Sequence, residues 1–543
     1  MRADLVFRGG SVFHALGRRS TDTVAVIGGR IAAIGADADD LVGPATDVVD
    51  LTGRLLVPGF QDAHVHPVSG GIERLTCDLT PYTTEAGYLE AIAAYANANP
   101  DLEWIVGGGW SLSSFPGGLP RRERLDEIVG NRAVYLPNRD HHDAWVSSRA
   151  LELAGVDRDT PDSAFGRIER DPDGSPTGAL HEDAMDLVGR LIPTPTNDEN
   201  IEGLLEAQAY LHSFGVTAWQ DALLGSFAEM TDASAAYRDC ADDGRLTAKV
   251  VGALWWFNTR GADQIDDLVE RRERYSGGNF RTTSVKIMQD GICENFTAAM
   301  IDPYLGSDGR ATANDGISMV APDELCEHVT ELDRRGFQVH VHAIGDRAVR
   351  EALDAFEAAR TQNGDNDLRH HIAHIQVIHP DDVPRFAELG VTGNMQSLWA
   401  CHEAQMDDLT IPFLGPERST WQYPFGGLLK AGARLCAGSD WPVSSPDPLW
   451  AMHVAVNRQA PAGLGDLREP LYPEQALDVE TALSAYTEGS AFVNHLDDTG
   501  RIEVGMAADL AVIDRDILAG PSDEIGDGRI DATYVDGKCV FSR

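Results

Sequence analysis

The stretch Val57-Pro-Gly-Phe-Gln-Asp-Ala-His-Val-His-Pro67 joins an apolar run to a Pro-Gly turn and two histidines spaced i, i+2. Leu55, Leu56 and Val57 lead into it, so it reads as a buried strand entering from a turn. On an extended strand, i and i+2 side chains share a face, which aims His64 and His66 at one spot. Two imidazoles converging from one rigid strand form half of a tetrahedral zinc site. Taken alone, the pair reads equally well as two partly buried histidines near a strand end, since most histidines bind nothing. The later strands of the chain decide between these readings.

After residue 200 the chain alternates strand and helix signals. The strands are Gly215-Val-Thr-Ala-Trp-Gln-Asp221, Ser284-Val-Lys-Ile-Met-Gln-Asp290, Gln338-Val-His-Val-His-Ala343, His371-Ile-Ala-His-Ile-Gln376, Val391-Thr-Gly-Asn-Met-Gln396 and Arg434-Leu-Cys-Ala-Gly-Ser-Asp440. Helical stretches at 201–213, 323–335, 346–360 and 380–389 precede or separate them. Such alternation predicts a parallel sheet, and the strand count favours a closed (β/α)8 TIM barrel spanning 59–495. Residues 70–200 are too long for one βα unit. With Trp104, Trp110, Phe115 and Trp145 they are expected to form an insertion over the barrel mouth that holds the second barrel strand. Residues 1–58 and 496–543 both read as short strands with Gly turns, and are expected to pair into one composite β-sandwich domain.

Most of these strands end in a metal-capable or acid–base side chain. His64 and His66 close the first, Lys286 lies within the fourth, His342 closes the fifth, His374 the sixth and Asp440 the eighth. In a barrel the C-terminal strand ends converge on one mouth, so residues remote in sequence become neighbours. Lys286 is the most telling, because an ammonium inside a barrel must be paired or neutralised. Either it is salt-bridged to a carboxylate such as Asp290, or it has a depressed pKa and takes up CO₂ as a carbamate bridging metals. His340 shares the face of His342 but lies deeper, and His370 and His371 precede the strand-end His374. His342 and His374 are therefore preferred as ligands. Asp440 either N-caps the next element or contacts the metal and accepts the proton of the attacking water.

Composition removes several function classes. Asp+Glu total 86 against 44 Lys+Arg, a formal net charge of −42. That surface repels phosphate backbones and anionic lipid, so neither nucleic acid nor a membrane surface is an expected partner. Only Lys249, Lys286, Lys430 and Lys538 are lysines. An acid-rich, lysine-poor surface suits high ionic strength, although a GC-rich source explains it equally well. Seven scattered cysteines without a C-x-x-C motif indicate reduced thiols. The N-terminus lacks a signal-peptide core, and no apolar run is long enough to span a bilayer. A cytoplasmic protein acting on a small molecule is expected.

An ordered set of segments carries a resemblance over nearly the whole chain. They are Pro58-Gly-Phe-Gln-Asp-Ala-His-Val-His66, Asp140-His-His-Asp-Ala-Trp-Val146, Pro176-Thr-Gly-Ala-Leu-His-Glu182, Gly215-Val-Thr217, Val285-Lys-Ile-Met-Gln-Asp-Gly291, His342-Ala-Ile-Gly-Asp346, Gly438-Ser-Asp-Trp-Pro442 and Gly505-Met-Ala-Ala-Asp-Leu-Ala-Val512. The chain resembles the amidohydrolase superfamily, in its amidohydrolase-3 branch of YtcJ-like proteins and N-substituted formamide deformylases. The resemblance implies a distorted barrel carrying a composite β-sandwich. It also implies one or two zinc or similar divalent ions held by His64, His66, His342, His374, Asp440 and an N6-carboxylated Lys286. His142 and Glu182 match further motif positions expected to face the pocket. A homodimer is expected from the family alone. Three departures fall near the pocket: Asp140-His141-His142 replaces an Asp-Gly-His pattern, Ile292-Cys-Glu-Asn-Phe296 replaces small residues, and Ala373 stands where Glu is frequent.

The implied chemistry is metal-assisted hydrolysis of a non-peptide C–N bond, with Asp440 as general base and His142 stabilising the oxyanion. The expected substrate is a small amide, N-substituted formamide or cyclic amide with an apolar or aromatic group. Substrate contacts are expected from Trp110, Glu182, Phe296, Trp399 and Trp441, although such aromatics serve as readily to pack the insertion onto the barrel. A metal-dependent deaminase or cyclic-amide hydrolase uses the same ligands. A non-catalytic barrel serving protein interactions is the alternative of a different class.

Overall fold

Eight parallel strands carry the fold, and each is a run that buries nearly every residue. In the computed structural model, residues 2–163, 166–226, 231–462, 464 and 469–543 are described. The strands are β1 Phe60–Val65, β2 Val216–Leu224, β3 Lys249–Trp255, β4 Phe280–Met288, β5 Gln338–Ala343, β6 His371–His374, β7 Thr392–Met395 and β8 Leu435–Ala437. They pair in chain order, each parallel to the next. The ring is nearly closed. Asn394 Nδ2 donates to the Ala63 carbonyl at 2.9 Å, and the amide of Asp440 donates to the His64 carbonyl at 2.8 Å. Parallel strands buried on both faces usually read as apolar runs, but here polar side chains such as Gln220, Gln338 and His340 fill the lumen, and on β5 they alternate with Val339 and Val341 of the apolar core.

Helices cover the outside for local reasons. Asn197–Ser213 is started by Thr196, which forms a capping box with Glu199. Pro322–Arg334 places Pro at its first turn, and Asp346–Asn363 buries Val349, Leu353 and Phe356 along one face. At the start of β1 a glycine is obligatory, because a Cβ on Gly59 would lie 2.4 Å from the Thr217 side chain.

The terminal segments build two sheets over one core. The six-stranded sheet runs Lys538–Ser542, Ile530–Val535, Leu510–Ile513, Leu55–Pro58, Ser11–Ala15, Arg18–Ser20. The four-stranded sheet runs Arg30–Ile34, Val24–Ile27, Leu5–Arg8, Asp47–Asp50. Phe7, Val24 and Ile31 of one sheet pack with Val12, Leu56, Leu510 and Val512 of the other. Leu55–Pro58 lies between strands from the two ends of the chain and continues at Gly59 into β1.

The second barrel strand does not lie in the 70–200 insertion, which corrects the expectation from sequence. It is Val216–Leu224, which pairs directly with β1. The insertion has a six-stranded sheet of its own, in the order Gly166–Arg170, Pro176–Glu182, Asp143–Val146, Ala133–Pro137, Trp104–Gly108, Cys77–Asp78. The barrel strand that sequence reasoning misses is β3, whose end carries Trp255 and Trp256 in place of a metal-capable group.

Candidate metal centre

His64 is the fifth residue of β1 and His66 follows its end, so the i, i+2 spacing aims both rings into the mouth. Where the ring closes beside β1, Asp440 lies three residues past β8. It reaches β1 because Gly438 has no Cβ; one built there would sit 2.7 Å from the His64 amide nitrogen. Asp440 Oδ1 lies 3.2 Å from His64 Nε2 and 3.0 Å from His66 Nε2, while its Oδ2 lies 3.7 Å from His374 Nδ1. Lys286 Nζ, rising from β4, is 3.4 Å from His64 Nε2. The His342 and His374 rings are 4.4 Å apart between centroids. The structure thus brings together His64, His66, Lys286, His342, His374 and Asp440. His342 stands at the edge of the group, with Nε2 against the Gly291 carbonyl at 3.3 Å and Asp290 at 3.5 Å. His374 and Asp440 hold left-handed backbone angles, φ 78° and 56°, a strained geometry that proteins concentrate at functional sites.

Electrostatics favour neutral imidazoles around one anion. Burial pushes His64 down to about 3, with the Lys286 ammonium adding to the effect. Burial likewise lowers His66, His342 and His374. Burial alone would raise the Asp440 carboxyl, but His64, His66 and His374 overcome it and hold the group well below the carboxylate range. Neutral imidazoles beside a fixed carboxylate are the protonation states that metal ligands require.

The donor set fits a divalent metal on geometry as well. One donor atom each from His64, His374 and Asp440 lies within 4.8 Å of the others. His374 Nδ1 and Asp440 Oδ1 are buried without a well-formed hydrogen bond. Orphaned acceptors of this kind are rare unless an unseen ion or water satisfies them. Mixed imidazole and carboxylate ligation suits zinc among several divalent ions.

A cavity of about 280 Å³ opens onto this cluster. From the insertion come His142 and Glu182, paired through His142 Nδ1 at 2.9 Å. Glu182 also accepts from Asn295 Nδ2 and Thr297 Oγ1, each at 2.8 Å. Burial opposes charging of His142, but the Glu182 carboxylate outweighs it and raises the imidazole to about 9. Trp399 lines the cavity and stacks on His374, with 5.5 Å between centroids and 7° between planes.

Three expected substrate contacts lie elsewhere. Trp110 is fully buried inside the insertion, where its indole N–H donates to the Leu136 carbonyl and its ring meets Phe115 and Trp145. Phe296 packs edge-on against Tyr304 and Phe413. Trp441 turns from the cavity onto Tyr210 and Gly70. All three take the packing role that aromatics equally serve, Trp110 and Trp441 buried and Phe296 half-buried.

Residues 47–541 match the model of the amidohydrolase family. The chain belongs to that family. Protein LONG AFTER FAR-RED 3 of Arabidopsis thaliana is 30% identical to it, over 99% of this chain and 92% of that protein. The N-substituted formamide deformylase of Arthrobacter pascens is 28% identical, over 96% of this chain and 95% of the enzyme. The crystal structure of an uncharacterized metal-dependent hydrolase from Pyrococcus furiosus matches with a TM-score of 0.71 at 26% identity, covering 95% of this chain and 99% of that one.

Within this amidohydrolase the departures from the family pattern acquire positions. His141, where the resembled Asp-Gly-His pattern has glycine, sits at φ 60°, a conformation unstrained for glycine, and its Nε2 lies 3.1 Å from Glu73 Oε1. Glu294 lines the cavity, accepts from Thr410 Oγ1 at 2.9 Å, and is pushed up to about 7 by burial with Asp140 adding to the rise. Trp255, Trp256, Phe257 and Tyr423 also line the cavity, and sequence reasoning does not single them out. The apolar run Leu254-Trp-Trp-Phe257 is the available signal, set at the end of a strand with no titratable group to mark it.

Proposed function

We propose that this protein is a metal-dependent hydrolase that cleaves the C–N bond of a small amide or N-substituted formamide bearing an aromatic group. The observation that carries this reading is the convergence of the His64, His374 and Asp440 donors on a cavity walled by Trp255, Phe257 and Trp399. His64, His66, His342, His374 and Asp440, with Lys286, would hold zinc. When bound, such an ion lowers the pKa of water toward neutrality and polarises a carbonyl.

The chain's own residues supply the rest. Asp440, anionic at neutral pH, takes the proton of the attacking water and delivers it to the leaving nitrogen. His142, charged at neutral pH through Glu182, offers a ring N–H to the developing oxyanion. Burial pulls the Lys286 amine down to about 7, against the pull of Asp440 and Asp221. A neutral fraction is therefore present near neutral pH to add CO₂, lose a proton and become a carbamate. The aromatic walls receive the substituent on nitrogen. No helix among the described residues is long and apolar enough to cross a membrane, and the free cysteines suit the cytoplasm where we place the protein.

Asp440→Asn is the decisive variant. Asn is one of the few residues comfortable at positive φ, so the backbone survives, while the base is lost and a carboxylate ligand becomes an amide. Turnover of N-benzylformamide, counted per bound zinc in the zinc-loaded variant, should fall about 10²–10⁴-fold. Undiminished turnover would remove Asp440 as base. A zinc-loaded wild-type protein that hydrolyses neither aromatic nor short aliphatic formamides and amides would end the wider reading.

A further inference from the structure

We propose that Gln220 and Gln338 are positioning residues that lock His64 in the tautomer whose Nε2 lone pair faces the metal position. Both lie in the barrel lumen, on β2 and β5, and neither touches the cavity. Their amide orientations follow from partners that can only accept. Gln338 Nε2 donates to the carbonyls of Arg369 and Val493, at 2.9 and 2.7 Å, which leaves Gln338 Oε1 as an acceptor. Gln220 Nε2 donates to that oxygen at 3.0 Å and to Asn494 Oδ1 at 3.4 Å, so Gln220 Oε1 points the other way.

Gln220 Oε1 meets two imidazoles, His340 Nδ1 at 2.7 Å and His371 Nε2 at 3.1 Å. A carbonyl oxygen cannot donate, so both nitrogens carry their protons. His340 is fully buried with no carboxylate against it among the described residues, and holds a single ring proton. Its Nε2 is then a lone pair, and His64 Nδ1, at 2.8 Å, must donate to it. His64 Nε2 is left unprotonated. It faces Asp440 Oδ1 at 3.2 Å, two electron pairs that only a cation between them, or the Lys286 ammonium, reconciles.

The far end of the network agrees independently. The His374 amide donates to Gln396 Oε1 at 2.7 Å, so Gln396 Nε2 donates to Asn394 Oδ1 at 3.1 Å. Asn394 Nδ2 therefore faces Ala63 O at 2.9 Å and His371 Nδ1 at 3.2 Å, which makes His371 Nδ1 an acceptor. That is the tautomer Gln220 already demands. Two chains of hydrogen bonds, anchored on different backbone groups, close on one set of protons.

This inference rests on the metal reading, but the two fail differently. Wild-type protein that binds no zinc would sink the metal reading, whereas the His64 tautomer in zinc-free protein bears on the present inference alone. With ¹⁵N-histidine-labelled protein, two-bond proton–nitrogen correlations should show His64 protonated on Nδ1, its signals assigned by their loss in His64→Asn. Zinc affinity, measured by competition with a chromophoric chelator, should fall about 10–100-fold in Gln220→Leu. In zinc-free Gln220→Leu the His64 proton should no longer be confined to Nδ1, a change that a merely packing role for Gln220 would not produce. Protonation on Nε2 in the wild type, zinc binding by Gln220→Leu equal to wild type, or an unchanged His64 tautomer in Gln220→Leu would each overturn the proposal. If Gln220→Leu does not fold, Gln338→Met removes the anchor from outside the histidine cluster and is held to the same outcomes.

Discussion

The His142–Glu182 pair is where acid–base behaviour at the mouth is set. Removing Glu182 from a buried pair leaves an imidazolium without its counter-charge. The imidazole is raised to about 9 in the fold, against an ordinary value of about 6.5 in an open chain. A raised pKa means that charged His142 stabilises the fold fully below about 6.5, and that this contribution disappears as pH climbs through about 9. Activity that depends on the imidazolium should decline over the same alkaline range. Glu182→Gln should move the alkaline limb of the kcat profile down by roughly 1–3 pH units, the size of effect a close opposite charge produces. A limb that stays in place while kcat drops would reduce Glu182 to a structural prop and take the oxyanion role from His142. Stability in Glu182→Gln should fall as well, by several kcal/mol, because the buried charge then has no partner.

At the level of elements, ligands and mouth are carried by different parts of the chain. The barrel strands hold the histidine–aspartate cluster that we propose as the metal site, whereas His142 and Glu182 ride on the 70–200 insertion, whose sheet is wedged by Trp110, Phe115 and Trp145. Trp110→Ala should cost about 3–5 kcal/mol of local stability through the cavity it leaves. Zinc stoichiometry should survive it and turnover should not, because the wedge supports the mouth and not the ligands. Equal loss of zinc and activity would show that the two units do not separate in this way. The same division explains what is legible in the sequence. Strand ends bearing His64, His342, His374 and Asp440 advertise themselves, since barrel topology converts a strand end into an address. Val216–Leu224 is legible as a strand but not as the second of the ring, because the length of the insertion argues for a barrel strand inside it. Lys249–Trp255 ends in indoles, which carry no titratable label. Chain position alone assigns Trp110, Phe296 and Trp441 to the mouth. A tryptophan's destination depends on which core has room for it and a partner for its N–H, as Leu136 does for Trp110.

For the whole molecule the governing quantity is charge. With 86 acidic side chains against 44 basic ones, a large surplus of negative charge stays uncompensated however the surface is arranged. Salt therefore acts in two directions. It weakens exposed pairs such as Arg18–Glu503 and Arg124–Glu127, each worth no more than about 1 kcal/mol at low salt. It also screens the repulsion among the unpaired acids, a term that grows with the square of the net charge and extends over a Debye length of about 10 Å at 0.1 M. At a formal charge of −42 the second effect should dominate. The unfolding midpoint should then rise as KCl goes from about 0.05 to about 0.5 M, with most of the gain at the low end where the Debye length shrinks fastest. The composite sheet sharpens this expectation, because Leu55–Pro58 is held between strands from both chain ends and repulsion that peels off either end opens the entry to β1. Protein with Leu510–Ile513 deleted should fail to fold at any salt concentration, which separates sheet closure from screening. A midpoint that stays flat or falls between the two salt concentrations would mean that the paired arginines, and not the surplus acids, set the stability of this surface.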